Sequence, residues 1–78
     1  MASREQNERT FGSWEDLPGG SRRYTREYAG RAGGRAHYIK EVDAAEATVR
    51  FAQEIYDRDG HLVSVHEKFP VDLGHKQL

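Results

Sequence analysis

The sequence predicts a mainly β domain, a four-stranded antiparallel meander sheet with one short N-terminal helical turn covering one face. Residues 48–56 and 62–69 alternate side chains with the two-residue period of a strand. The turn between them, Asp57-Arg58-Asp59-Gly60, is a strong hairpin signal. Two further alternating runs, residues 22–28 and 36–42, precede this hairpin. A glycine-rich loop joins them to each other, and they complete the predicted meander.

The loop length of this hairpin decides which side chains share a face. A two-residue loop would set Ile55 opposite Ser64 and divide the apolar residues between the faces. A three-residue loop, with Gly60 in the left-handed conformation, sets Ile55 opposite Val63 and keeps the apolar residues together. We therefore expect the three-residue loop. The predicted apolar face consists of Tyr38, Val42, Val49, Phe51, Ile55, Val63, Val65 and Phe69.

Residues 43–59 also fit a helix, and the sequence leaves this alternative open. Asp43 followed by Glu46 resembles a capping box, and Phe51 and Ile55 lie on one helical stripe with two alanines. The β-branched and aromatic residues of the segment favour the strand, as does the matching alternation of its partner.

The strand over residues 36–42 is expected to pair with the strand over residues 48–56. Complementary charges support the register, since opposite charges directly across two strands contribute about 0.2–1 kcal/mol each. The expected pairs are Val42 with Val49, Glu41 with Arg50, and His37 with Glu54.

The N-terminal part of the chain is predicted to provide the cover of the sheet. Phe11, Trp14 and Leu17 are spaced at three residues, and Ser13 is placed to cap a single helical turn. The side chain of Trp14 either closes the core or anchors a partner, and the sequence does not choose between these roles.

Length and composition allow one small β domain, residues 11–78, behind a disordered N-terminal tail, residues 1–10. The 78 residues are 36% hydrophobic and 32% charged, so the core is expected to be thin and a homodimer is predicted to cover it. The chain has no cysteine and no apolar run typical of a signal peptide or membrane helix. We therefore expect a cytoplasmic location, no membrane partner, no metal and no cofactor.

Basic residues are concentrated in the first half of the chain, where residues 22–40 contain six Lys and Arg against one Glu. Arginines with interleaved tyrosines are typical of a nucleic-acid-binding surface. Pairing with the acidic second half would instead neutralise them. The candidate residues for contact with a partner or a nucleic acid are Trp14, Arg22, Arg23, Tyr24, Arg26, Tyr28, Arg31 and Arg35.

The second face of the predicted sheet gathers the reactive side chains. Histidine, glutamate and cations on one sheet face can act as a metal-independent ribonuclease, which needs an acid, a base and a cation at the phosphate. The polar, solvated outer face of a sheet contains the same residue types. The candidates are His37, Glu54, His66, Arg50 and Lys68. His37 and His66 could bind a metal together with Glu54 only if the sheet curls.

Three segments carry a resemblance to other proteins: residues 38–43 (YIKEVD), 54–57 (EIYD) and 66–72 (HEKFPVD). With these segments, residues 14–78 resemble a set of short, uncharacterised bacterial and phage proteins. The resemblance implies a stand-alone small protein and transfers no catalytic residues.

The favoured function is a small non-enzymatic binding protein, an inhibitor or adaptor of phage or mobile-element origin that acts through contact with a protein partner. Its small size, its segregated charge and the lack of a catalytic signature favour this function. A nucleic-acid-binding module is the alternative, and the ribonuclease is the third hypothesis.

Overall fold

The computed structural model describes residues 2–78, which fold into a six-stranded antiparallel sheet with one α-helix packed on it. Strands that follow each other in the chain are neighbours in the sheet, so the sheet is an uninterrupted meander. The helix is α1 (Arg4–Phe11), and the strands are β1 (Ser13–Asp16), β2 (Arg22–Ala29), β3 (Arg35–Val42), β4 (Thr48–Tyr56), β5 (Leu62–Phe69) and β6 (Gly74–Gln77).

The mainly β class is confirmed, and the four predicted strands are β2 to β5. The helical alternative for residues 43–59 is wrong, because β4 pairs with both β3 and β5. The Asp43 carboxylate does accept backbone N–H groups, but from Ala45 and Ala47, so it closes the β3–β4 loop instead of capping a helix.

Two short edge strands, β1 and β6, raise the number of strands from the predicted four to six. In β1, Trp14 pairs with Tyr24 of β2 where a helical turn was predicted. The preceding Gly12, with φ of 76°, ends α1, and the extended chain then runs along the edge of β2. A spacing of three residues between apolar side chains does not predict this pairing, because the pairing depends on the free edge of β2, the next strand in the chain.

The prediction of a disordered tail is wrong for residues 4–10, which belong to α1. Ser3 caps this helix: its hydroxyl accepts the N–H of Gln6, and the Gln6 side chain accepts the N–H of Ser3. An isolated helix of this length is marginal in water. Contacts with the sheet hold it, since Asn7 is buried and the ring centroid of Phe11 lies 5.7 Å from that of Tyr24.

The β4–β5 hairpin has the predicted three-residue loop, in which the Asp57 N–H donates to the His61 carbonyl at 2.9 Å. Beyond the loop a bulge shifts the register, and Ile55 lies opposite Ser64 instead of Val63. The predicted side-chain pairs of this hairpin are therefore wrong, and His66 lies on the other face from the one expected.

In the β3–β4 pair, two of the three predicted contacts are confirmed. Glu41 lies opposite Arg50, and His37 lies opposite Glu54. A second bulge follows, so Val42 faces Thr48 and not Val49, which is exposed.

The sheet has two unlike faces, which we call the helix face and the outer face. The helix face, on which α1 packs, includes Arg22, Tyr24, Arg26, Tyr28, Tyr38, Lys40, Val42, Phe51, Gln53, Ile55, Ser64, His66 and Phe69. The outer face includes Arg23, Glu27, His37, Ile39, Glu41, Arg50, Ala52, Glu54, Val65 and Glu67. The predicted apolar face is therefore correct for Tyr38, Val42, Phe51, Ile55 and Phe69 and wrong for Val65.

The core is thin, as the composition predicts. Its buried apolar side chains are those of Tyr24, Ile39, Val42 and Ala52. The helix α1 contacts β1 and β2, so it covers only part of the helix face.

Candidate binding groove

A groove lies open on the helix face beside α1, with a volume of about 690 Å³. Its floor consists of Tyr28, Tyr38 and Phe51, which β2, β3 and β4 present to the same face. Thr10 and Phe11 of α1 line one side. Ligand sites commonly have this size and a mainly aromatic lining with a few polar groups.

The three floor rings form a continuous row, which we call the aromatic row. The ring centroids of Tyr28 and Tyr38 are 5.4 Å apart with an interplanar angle of 89°. Those of Tyr38 and Phe51 are 6.2 Å apart at 74°. Such edge-to-face arrangements are mutually attractive, so the row is held in place before any ligand arrives. Tyr28 is 42% exposed, which leaves its end of the row accessible.

Two cations lie against the aromatic row. The Arg26 guanidinium is 4.9 Å from the ring centroid of Tyr28, and the Lys68 ammonium is 5.2 Å from that of Tyr38. Both distances are typical of cation–π contacts. Neither cation forms a salt bridge with a carboxylate of residues 2–78. Both cations therefore lack a direct ion pair within the described chain, and the charge of Lys68 contributes to lowering the pKa of the Asp72 carboxyl.

A third cation, Lys40, lies opposite Phe51 at the end of the groove nearest α1. Its ammonium donates to the side-chain oxygen of Asn7 at 2.9 Å. The lysine forms no salt bridge to any described carboxylate, so two of its three donors stay available to a ligand.

The part of the helix face under α1 is closed by a buried polar cluster around Glu46. The Glu46 carboxylate accepts from the Tyr24 hydroxyl, from Asn7 Nδ2 at 3.0 Å and from Arg4 Nε at 3.3 Å. Burial alone would raise the pKa of Glu46, but these three donors outweigh it and hold the pKa below its ordinary value. Burial, reinforced by Glu46, raises the pKa of the Tyr24 phenol.

Four of the predicted contact residues are used inside the fold. Tyr24 belongs to the buried cluster, and Arg22 is 7% exposed, with ion pairs to Glu8 at 2.6 Å and Asp16 at 2.7 Å. The other two cations pair on the outer face, Arg23 with Glu15 and Glu41, and Arg35 with Glu27. Neighbouring acids thus pair with three of the six cations in residues 22–40.

The remaining predicted contact residues are separated from one another. Arg26 and Tyr28 lie at the groove, whereas Arg31 is in the β2–β3 loop. Trp14 lies in the edge strand β1, where the Arg22 guanidinium sits 5.3 Å from its ring centroid. Trp14 is 42% exposed, so its ring neither fills the core nor lines the groove.

The sequence-based candidates omitted Tyr38, Lys40, Phe51 and Lys68. For Tyr38 and Phe51, the sequence signal is the presence of aromatic residues on successive strands. This signal identifies a site only when the correct strand register shows that the rings lie on one face. Lys68 also requires the bulge between Glu67 and Phe69, beside which its ammonium reaches the helix face.

Ion pairs cover the outer face. Arg50 donates two hydrogen bonds to Glu67, at 2.9 and 2.7 Å, and a third to Glu41 at 3.0 Å. Arg50 holds the pKa of the Glu67 carboxyl below its ordinary value. With Arg23 also bound to Glu41, this network leaves the outer face internally compensated.

The structure divides the predicted ribonuclease residues between the two faces. His37 lies opposite Glu54 on the outer face, but Tyr56 donates a hydrogen bond to Glu54 at 2.8 Å and packs its ring on His37. His66 and Lys68 lie on the helix face, and Arg50 is held by carboxylates. The five residues share no phosphate position, and His66 cannot join His37 and Glu54 around a metal.

His66 belongs instead to a polar cluster that attaches β6 to β5. Its Nε2 atom lies 2.5 Å from a carboxylate oxygen of Asp72, which lowers the pKa of Asp72. The ring of His75 in β6 packs against that of His66, with centroids 4.7 Å apart at an angle of 55°, and His75 forms a 3.1 Å hydrogen bond with the buried Ser64 hydroxyl. These contacts account for the ordered edge strand after Pro70.

Three side chains in the β4–β5 turn carry atoms of the kind that bind metal ions. Asp57, Asp59 and His61 each place one such atom within 4.8 Å of the others. The Asp57 carboxylate accepts the backbone N–H groups of Asp59 and His61, both at 2.9 Å. These bonds hold the hairpin turn, and they lower the pKa of Asp57.

Taken together, fold and groove define a small antiparallel β protein with a preformed aromatic cleft. Comparisons of the chain with family models, with curated proteins and with solved structures find no match. In the described part of the chain, no helix is long and apolar enough to cross a membrane.

Proposed function

We propose that this chain is a small non-enzymatic binding protein whose partner lies in the aromatic groove. The observation that carries the proposal is the aromatic row, bordered by cations that form no direct ion pair with a described carboxylate. Elsewhere in the sheet Arg22, Arg23, Arg35 and Arg50 pair with neighbouring carboxylates. The groove is thus the surface at which a ligand would find both apolar area and unused charge.

The sequence favours a protein partner, and this stays a prediction. Two features of the fold support it. The outer edges of β1 and β6 present backbone donors and acceptors to solvent, and a partner strand can add to such an edge. An extended segment of a partner can also lie in an open groove of this size.

A selection experiment tests the use of the groove without assuming the partner. The immobilised protein is screened against random peptides and, separately, against random single-stranded oligonucleotides. The tightest ligand of each pool is then titrated into the isotope-labelled protein, and amide shifts are recorded. We expect the shifts to cluster at β2, β3 and β4 around Tyr38.

The variant Tyr38→Ala is expected to lose these ligands. The matched control is Leu62→Ala, which removes another large side chain outside the groove. Ligands that bind Tyr38→Ala as tightly as wild type, or whose shifts map to the outer face, would refute the proposal. Turnover of a substrate by the purified protein would also refute it.

The homodimer stays a prediction as well. Phe69, Val71 and Leu73 are exposed beside β6, and soluble monomers tend to bury such apolar area. A two-fold dimer that joins this region would cover it. Light scattering at micromolar concentration should give twice the 8.9 kDa mass of the chain. A mass near 8.9 kDa would show that the chain is a monomer.

A further inference from the structure

We infer that the groove binds a single strand of nucleic acid, with bases against the aromatic row and phosphates at Arg26, Lys40 and Lys68. The inference rests on the proposed function, because it takes the groove as the binding surface. It selects the nucleic-acid alternative over the protein partner, with residues different from most of those that the basic stretch suggested.

The charge of the groove favours a polyanion. Three cations border the aromatic row. Glu46, which Asn7 connects to Lys40, is buried and already accepts three hydrogen bonds, and Asp72, whose pKa Lys68 helps to lower, is already bound to His66. A phosphate near Arg26 or Lys68 would replace no existing salt bridge of the described chain. Binding would therefore release counterions without breaking an internal ion pair.

The aromatic row favours a ligand that has flat faces. Bases of single strands stack on aromatic side chains of sheets, and two or three bases are held in this way by other RNA-binding sheets. The ring spacings of 5.4 and 6.2 Å place three rings in sequence along one groove. Gln53, whose amide donates to the Tyr38 hydroxyl at 3.2 Å, adds a polar group for a base edge.

A double strand and an acidic peptide fit less well. The faces of the bases are hidden in a duplex, so a duplex can offer the groove only its phosphates. An acidic peptide can neutralise the cations, but its carboxylates provide no flat surface for Tyr28, Tyr38 and Phe51. A single strand satisfies the cations and the rings together.

Fluorescence anisotropy tests this inference with labelled oligo-dT and oligo-U of about 12 nucleotides, at about 50 mM salt. We expect both strands to bind. The variant Tyr28→Ala should weaken binding about tenfold, as loss of one stacking side chain does elsewhere. Trp14→Ala is the matched control, because Trp14 and Tyr28 are both 42% exposed and only Tyr28 lines the groove.

Salt dependence tests the phosphate contacts separately. Three contacts to a single strand predict a slope of log affinity against log salt of about −2. Lys68→Gln should reduce the slope by about 0.7. Lys76→Gln is the control, since Lys76 also forms no salt bridge among residues 2–78 but lies opposite Val65 on the outer face. Circular dichroism verifies that each variant is folded, and Tyr28→Leu replaces Tyr28→Ala if the latter unfolds.

Each possible outcome has a defined meaning. Absence of binding to both oligonucleotides, or equal losses for Trp14→Ala and Tyr28→Ala, overturns the inference. Equal affinity for a duplex or for an oligo-glutamate of matched charge also overturns it, because the rings would then contribute nothing. If neither oligonucleotide binds but selected peptides bind and depend on Tyr38, the nucleic-acid inference fails while the groove remains the binding surface. If no selected ligand uses the groove, the proposed function fails as well.

Discussion

Tyr24 and Tyr28 lie four residues apart on the same face of β2, and their roles are opposite. Tyr24 is fully buried and donates its hydroxyl hydrogen bond to Glu46, whereas Tyr28 stands at the open end of the aromatic row. The arginines beside them differ in the same way. Arg22 is enclosed by two carboxylates, and Arg26 covers a tyrosine ring without one.

The difference between these two regions arises from α1, which covers one and stops beside the other. Under the helix, desolvation makes an unpaired polar group expensive, and among residues 2–78 every buried side-chain polar atom has a hydrogen-bond partner. Beside the helix, Arg26 donates one hydrogen bond to the Thr10 carbonyl at 2.8 Å and forms no ion pair with a described carboxylate, so its charge remains available to a ligand. Residue type alone therefore does not identify a binding residue in this protein.

The largest expected effect comes from breaking the buried cluster. Glu46→Ala would leave the Tyr24 hydroxyl and the Asn7 amide without their acceptor, at a cost of about 3 kcal/mol in the free energy of unfolding. Urea denaturation measures it. Glu27→Ala, on the exposed outer-face pair with Arg35, is the control and should change stability by less than about 0.5 kcal/mol. Equal losses in the two variants would contradict the assignment of the cluster.

Acid should destabilise the protein through the same carboxylate. The pKa of Glu46 is lower in the folded protein than its ordinary value of 4.5 in the unfolded chain. Its stabilisation is therefore complete above the unfolded value and is lost as pH falls through the folded one. Arg50 lowers the pKa of Glu67, so protonation of Glu67 at low pH should also decrease the free energy of unfolding.

Urea titrations between about pH 6 and about pH 3 should show a falling free energy of unfolding. In Glu46→Gln, which has no titrating group at this position, the decrease should be shallower. The same pH dependence in wild type and variant would show that Glu46 is not held as a paired carboxylate.

A smaller effect on the free energy of unfolding is expected when each of the two tyrosines is replaced by phenylalanine. Tyr24→Phe removes one donor from buried Glu46 and should cost about 1–2 kcal/mol. Tyr28→Phe removes the hydroxyl of a side chain that is 42% exposed and should cost less than about 0.5 kcal/mol. Thermal unfolding of the matched pair provides the comparison, and a larger loss in Tyr28→Phe would reverse the assignment of the two regions.

The smallest expected effect lies on the outer face. Arg50→Lys would replace the two-pronged contact with Glu67 by a point charge and should cost less than about 1 kcal/mol, since the pair is partly exposed. The loss should shrink at high salt. Arg58→Lys, at a turn position without an ion pair in the described chain, is the control. A salt-independent loss would mean that packing, and not charge, holds Arg50.

Local patterns predict much of the sheet and less of the groove. Alternation, the Asp57–Gly60 turn and complementary charges identified four strands and the pairs of Glu41 with Arg50 and His37 with Glu54. They missed the bulges, because an inserted residue leaves the alternation on each side intact while it inverts the faces beyond it. Because of one such bulge, His66 lies on the helix face and Val65 on the outer face, the reverse of the prediction.

By itself, the sequence determined the antiparallel meander, the three-residue hairpin loop and a core too thin to bury the whole chain. These follow from side-chain period, turn chemistry and composition, which act over a few residues. The Ser3–Gln6 capping box and Gly12 are local signals for the ends of α1, but only tertiary structure decided that this helix packs on the sheet, that Arg22 and Tyr24 are buried, and that Tyr38 and Phe51 meet Tyr28 in one groove. The physical reason is that burial, pairing and register depend on residues far apart in the chain, which no local pattern contains.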